Sequence, residues 1–176
     1  MKLFFDTEFT GLHKNTTLIS LGIISDNNKT FYAEFTDFDV SQCDHWIFDN
    51  VVKKLTLCGK TGTCYINDEN NIQICNKTFT IKKELERWLE QFDQVEMWSD
   101  CLSYDWVLFN DLFGTAFNIP KNIYYIPFDI CTLFKIKGVD PDINREEFAG
   151  SHSLVDKHNA LHDAKIIKLC YEKLME

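Results

Sequence analysis

With 176 residues, 45% of them hydrophobic and 26% charged, the chain has the length of one domain and an ordinary globular composition, which excludes a disordered polypeptide. Eighteen basic and 27 acidic residues leave a net charge of −9, which excludes nucleic-acid recognition through a generally basic surface but not an enzyme whose charge is corrected locally by metal ions. No apolar run approaches the ~18 residues of a membrane span, no signal-peptide pattern opens the chain, and seven cysteines without a CxxC pair read as mostly free thiols, so a cytoplasmic protein with no membrane partner is expected.

Lys2 to Asp6 reads as a short apolar strand and Thr17 to Ile24 as a β-branched central strand. After a turn at Asp26-Asn27-Asn28, Thr30 to Phe35 alternates and completes a hairpin. Ser41 opens a predicted helix through Trp46, Val51 and Leu55. Residues 57–77 carry two β-like pieces around Asp68-Glu69-Asn70-Asn71, which predicts a surface hairpin inserted in the domain. Phe79 to Phe92 has helical periodicity, with a Thr at its start suited to capping. A short strand at Val95 to Trp98 precedes a helix at Tyr104 to Phe113 that Gly114 ends. Asn122 to Ile126 is strand-like, Asp129 caps a helix to about Ile136, and residues 137–153 read as polar loop. A last helix runs from about Asn159 to Leu174, with Ala160, Ala164, Ile167 and Tyr171 along one side. Strands first, then alternating helix and strand, predict a single α/β domain over residues 1–176, built on a mixed sheet.

Three segments carry possible chemistry. In Phe4-Phe5-Asp6-Thr7-Glu8 an apolar strand ends in two carboxylates one residue apart, which strand alternation points to the same side. Like charges at a buried strand end are costly, and a hard divalent cation such as Mg²⁺ or Mn²⁺ offsets that cost. Alone, the pair reads first as solvated acids at an exposed strand end. Asp105 follows a strand and a short loop into the first turn of a helix, where it can also serve only the helix dipole. Asp163 sits on the last helix. His158, five residues earlier, is about 140° away around an ideal helix. It is therefore expected to precede the helix and overhang a site that Asp163 faces, where a neutral imidazole can take a proton from water. His162 diverges from Asp163 by about 100° and is given a minor role.

Taken in order, these segments resemble the DnaQ-like 3′–5′ exonucleases of the DEDDh group. Asp6-Thr7-Glu8 with Thr10-Gly11-Leu12 is similar to their first motif, Tyr104-Asp105 to the second, and His158-x-Ala160-Leu161-x-Asp163-Ala164 to the third. Within the group, FFDTEF, LISLGII, HWIFDNVVKKL and the MW…YDWVLF stretch resemble the small bacterial and phage exoribonucleases related to the mycobacterial adenylate-specific 3′ exoribonuclease. The resemblance implies an RNase H-like exonuclease fold, a mixed sheet flanked by helices. It also implies two Mg²⁺ or Mn²⁺ ions held by Asp6, Glu8, Asp105 and Asp163, His158 as general base, and nucleoside 5′-monophosphates released from the 3′ end of single-stranded RNA. Single-stranded DNA, as in proofreading subunits, and a non-catalytic nucleic-acid-binding module of the same fold remain as alternatives. Phe9 departs from the common TETTGL form. It can stack on a terminal base or pack in the core, while Leu12 can wedge beside a base and Tyr104 offers a second platform.

Asp129 resembles a helix cap rather than a metal ligand, and Asp100 competes with Asp105 for the second-motif role, with helical context favouring Asp105. Trp98, Trp106 and Tyr104 have core spacing first. Cys58, Cys64 and Cys75, with Cys43 and His45, lack common zinc spacing. Lys77, Lys82 and Lys83 form one local basic cluster, and Lys135, Lys137, Lys157, Lys165 and Lys168 are scattered. An apolar helix face can be core or interface, so a homo-oligomer is left open.

Overall fold

The computed structural model describes residues 1–57, 64–68, 70–151 and 158–176. The chain lays down β1 (Lys2–Phe9), β2 (Leu18–Ser25), β3 (Thr30–Phe35), α1 (His45–Asn50), β4 (Cys64–Asn67) and β5 (Asn71–Asn76). It continues with α2 (Thr78–Leu89), β6 (Glu96–Ser99), α3 (Ser103–Leu112), β7 (Phe128–Asp129), α4 (Ile130–Ile136), α5 (Arg145–Ala149) and α6 (Ala160–Met175). The strands form one sheet in the order β4-β5-β3-β2-β1-β6-β7. β1, β2 and β3 are an antiparallel meander, whereas β5 lies parallel to β3, β6 to β1 and β7 to β6. This is the expected mixed sheet flanked by helices, consistent with an RNase H-like fold.

Side-chain alternation divides the sheet into two faces. Leu3 and Phe5 of β1, Leu21 and Ile23 of β2, and Phe31, Ala33 and Phe35 of β3 point one way. There they meet Ile81, Leu85, Trp88 and Leu89 of α2 and Leu108, Phe109 and Leu112 of α3. Each large side chain buried in this layer contributes ~1.5–3 kcal/mol. Phe4 and Ile24 point the other way, against Ile130 and Phe134 of α4 and Ala164, Ile167, Cys170 and Leu174 of α6. A glycine sets the closeness of that second layer. A Cβ on Gly22 in β2 would overlap the backbone of Ala160 and Leu161, so the first turn of α6 rests directly on the sheet.

Several elements differ from the sequence expectation. The helix expected from Ser41 to Leu55 is broken into a 3₁₀ turn at Val40–Gln42, α1, and a second 3₁₀ turn at Val52–Lys54. Two side chains restart it: Asp39 accepts the Ser41 N–H and Asp44 accepts the Ile47 N–H, each satisfying a fresh helix start. Thr78 does not cap α2. It is the first helical residue, and its N–H and hydroxyl both donate to Asp37. Between Asn122 and Ile126 there is only a single bridge, Val95 to Ile123, in a stretch bracketed by Pro120 and Pro127, which have no N–H to give. Residues 137–153 include α5, capped by Asn144 and closed by Gly150 at φ 72°. The hairpin expected within 57–77 is present as β4 and β5, and it also joins the main sheet. β4 is largely exposed, but β5 pairs with the full length of β3 and buries Ile72, Ile74 and Cys75.

Candidate active site

β1 and β6 pair only as far as Phe4 and Trp98, after which β1 runs on to Phe9 paired with β2 and no longer with β6. The fork between them opens a cleft of about 300 Å³. Asp6, Glu8, Phe9, Leu12, Tyr104, Asp105, His158 and Asp163, which are all the residues expected to form a site, line it. Asp6 and Glu8 project from the face that α6 covers. Oxygens of Asp6, Glu8 and Asp163 lie within 4.8 Å of one another. Asp105 arrives from the opposite face on the first turn of α3. Its Oδ1 accepts the Thr7 hydroxyl at 2.6 Å and the Thr7 backbone N–H at 3.0 Å. That N–H is available because β6 has already left β1. Thr7 is thus the one residue of Asp6-Thr7-Glu8 turned toward α3, and it binds the second motif to the first.

The electrostatics are those of an overcrowded acid cluster. Burial, then the charges of Asp105, Glu8, Asp163 and Asp100, hold Asp6 protonated well above the ordinary carboxylate range. Burial and the charges of Asp163 and Asp105 push Glu8 up to about 8, and the charge of Lys54 opposes them. Asp105 rises to about 6 through burial, restrained by its two bonds from Thr7. Four hard oxygen donors that repel one another fit a divalent cation of the Mg²⁺ or Mn²⁺ type, whose charge reverses the repulsion. Asp100 also borders the cleft, but Arg145 pairs with both of its oxygens at 2.7 and 3.0 Å. It is therefore already paired with a cation, unlike Asp105.

His158 stands just before α6 in a left-handed backbone conformation, φ 65°. Its N–H donates to Asp163 Oδ2 at 3.1 Å, and its Nδ1 lies 3.9 Å from Glu8 Oε1. The ring packs edge-on against Trp46 of α1, centroids 5.0 Å apart. His162 turns away from the cleft, toward Glu146 and the outer side of Asp163. Its Nε2 is buried with no hydrogen-bond partner among the described residues. Phe9 and Tyr104 stack on each other at 5.3 Å with a 19° interplanar angle, and Phe9 also packs against the core. Leu12 is 78% exposed. It stands between this cleft and an adjoining, more apolar one of about 420 Å³ lined by Trp46, Ile47 and Val51. Trp98 and Trp106 are absorbed in aromatic clusters away from the cleft, with Phe128 and Tyr171 and with Phe5 and Phe109.

Thr7, Lys54 and Trp46 were missed as parts of this site. Thr7 had a signal, since it lies between two residues of one strand face and must point to the other. Trp46 and Lys54 had none, because their approach depends on the broken path of residues 40–54. Among the described residues, no group able to hold a metal includes Cys43, Cys64 or Cys75. Cys43, Cys64, Cys101, Cys131 and Cys170 are free, Cys75 is disulfide-bonded and so no thiolate ligand, and Cys58 lies outside the described residues. Among the described residues, no helix is long and apolar enough to cross a membrane.

The sequence model of the Rv2179c-like 3′-5′ exoribonuclease domain matches residues 1–175. Two similar proteins are the 3′-5′ exoribonuclease Rv2179c of Mycobacterium tuberculosis strain H37Rv and the 3′-5′ exoribonuclease MT2234.1 of strain CDC 1551 / Oshkosh. Each is 25% identical over 167 residues, covering 94% of this chain and 88% of the relative.

Proposed function

The chain belongs to the Rv2179c-like 3′-5′ exoribonuclease domain family, and on that premise we propose that residues 1–176 act as a single exonuclease domain that removes nucleoside 5′-monophosphates from the 3′ end of single-stranded RNA. The observation that carries this reading is the convergence of Asp6, Glu8, Asp105, Asp163 and His158 on one cleft. Asp6, Glu8 and Asp163, with the Oδ2 of Asp105 that Thr7 leaves open, are the atoms that would hold two divalent cations. When bound, such a pair supplies an activated water and stabilises the departing 3′ oxygen.

The chain's own groups do the rest. His158 takes the proton of the attacking water, and the nearby Glu8 carboxylate stabilises the imidazolium that results. Trp46 holds the ring edge-on and limits its rotation. The stacked Phe9–Tyr104 pair offers a flat surface to a base, and exposed Leu12 wedges between the last base and the one before it. Among the described residues Lys54 is the cation that acts on Glu8, and with a net charge of −9 the grip on the body of the strand is weak and short-ranged.

The test is a degradation assay on 5′-labelled single-stranded RNA, DNA of the same sequence and an RNA hairpin, with Mn²⁺ and with chelator. The expected result is stepwise 3′ shortening of the single-stranded RNA, with nucleoside 5′-monophosphate as product, and none with chelator. Internal cleavage, 3′-monophosphate products or equal activity in chelator would overturn the reading. A site that reads the 2′-OH leaves the DNA longer-lived than the RNA.

A further inference from the structure

Asp6 of β1, Gly22 of β2 and Tyr32 of β3 form one row across the sheet, each the direct cross-strand partner of the next. The first turn of α6 lies across that row, because Gly22 has no side chain to hold it off. At one end of the row Asp163 meets Asp6. At the other end Tyr32, 4% exposed, accepts the Nδ2–H of Asn159 at 3.3 Å and donates its own proton to Glu34 at 3.0 Å. Glu34 is fully buried and is gripped further by the backbone N–H groups of Thr56 and Leu57 at 2.7 and 3.0 Å. Burial and the facing Glu34 push the Tyr32 phenol above its ordinary range, so it stays a neutral donor.

Asn159 has two separable tasks. Its Oδ1 caps α6 by accepting the His162 N–H at 3.1 Å, and its Nδ2 ties that cap to Tyr32. It directly follows His158, whose left-handed backbone is a conformation that a residue with a Cβ seldom adopts unaided. Nothing in a helix cap alone requires the second bond.

We propose that Tyr32, anchored by Glu34 and acting through Asn159, is a positioning residue that holds His158 over Glu8 and Asp163. The inference rests on the reading of the cleft as an RNA-degrading site. The carboxylate that steadies the arrangement lies beneath the sheet's helical layer rather than in the cleft, so it adds no charge beside the substrate.

Steady-state kcat and KM on a short single-stranded RNA with Mn²⁺ test this in Tyr32→Phe, Asn159→Ser and the double variant. Phe keeps the wall beside Gly22 but lacks the hydroxyl, and Ser keeps the cap but cannot reach Tyr32. Each single variant is expected to lose about tenfold in kcat, the scale on which small misplacement of a catalytic group acts. KM is expected to stay within about twofold, because substrate contacts are untouched. The double variant is expected to be no slower than either single, since one connection is cut in all three. Unchanged kcat in both singles, losses that multiply in the double, or a rise in KM at full kcat would overturn the proposal. A wild-type protein that leaves RNA intact would instead overturn the reading of the cleft on which it rests.

Discussion

On one face of β1, Leu3 and Phe5 are fully buried against α2 and α3. On the other, Phe4 begins in the same way, but Asp6 and Glu8 follow, and three acidic oxygens come within 4.8 Å. The strand is therefore all core at its start and core on one side only at its end. The difference is one of length: the dry face is needed wherever helices cover the sheet, whereas the charged face is confined to where β6 has diverged. Thr7 is the point of exchange, an odd-numbered residue on the core face that has become polar to hold Asp105. A site with ligands from both faces can exist only at such a strand end, because elsewhere the sheet itself separates them.

The sharpest way to break the comparison is to mutate neighbouring residues on the two faces. Asp6→Asn should abolish RNA degradation while the melting temperature holds or rises, because one of several mutually repelling carboxylates is gone. Phe5→Ala should do the reverse, costing ~3–5 kcal/mol of stability in denaturant unfolding while the folded fraction retains its specific activity. If Asp6→Asn unfolded the protein, the charged face would be structural and the contrast would fail. His158→Ala belongs with the first group, at about 10²–10⁴-fold in kcat with no loss of stability.

Thr7→Val tests the point of exchange and should give a smaller effect. Valine fits the same volume and keeps the backbone N–H bond to Asp105, but it removes the hydroxyl bond. A loss of about 10–100-fold in activity is expected, the range for partners that orient metal ligands, with a raised Mn²⁺ requirement. An activity loss that excess Mn²⁺ does not reduce would mean that Thr7 serves the core rather than Asp105.

How legible these features were follows from their range along the chain. Asp6 and Glu8 could be assigned to one face because strand alternation is a local rule, and Asp129 as the cap of α4 was equally local, its Oδ1 accepting the Cys131 N–H. Asp105 and Asp163 became visible only through the order of their motifs, since nothing local separates a ligand from a dipole-favouring acid. The break of the helix expected over 41–55 was missed because its apolar spacing continues through two restarts set by Asp39 and Asp44. The β4–β5 hairpin is legible because its pairing is local, whereas the parallel pairing of β5 with β3 joins segments some 40 residues apart and has no local signal. The contacts Trp46–His158 and Tyr32–Asn159 are longer still in sequence, at 112 and 127 residues, and have no local signature.

The mildest test uses acidity rather than mutation. Glu8 titrates at about 8 in the folded, cation-free cleft, against an ordinary value of 4.5. Between those values the native state holds a proton that the unfolded chain has released, so this group's contribution to stability is complete below about 4.5 and is lost as pH rises through about 8. On the proposed function, a divalent cation would bind the deprotonated cluster and remove the repulsion that raised the value. The rise in melting temperature on adding Mn²⁺ should therefore be larger at pH 8 than at pH 6, where binding must first displace the proton. Glu8→Gln should narrow the gap between the two increments without closing it, because burial raises Asp6 and Asp105 as well. Equal increments in the unmodified protein would mean that the cation reads the dry and the charged face alike, binding the general acidic surface instead of the end of β1.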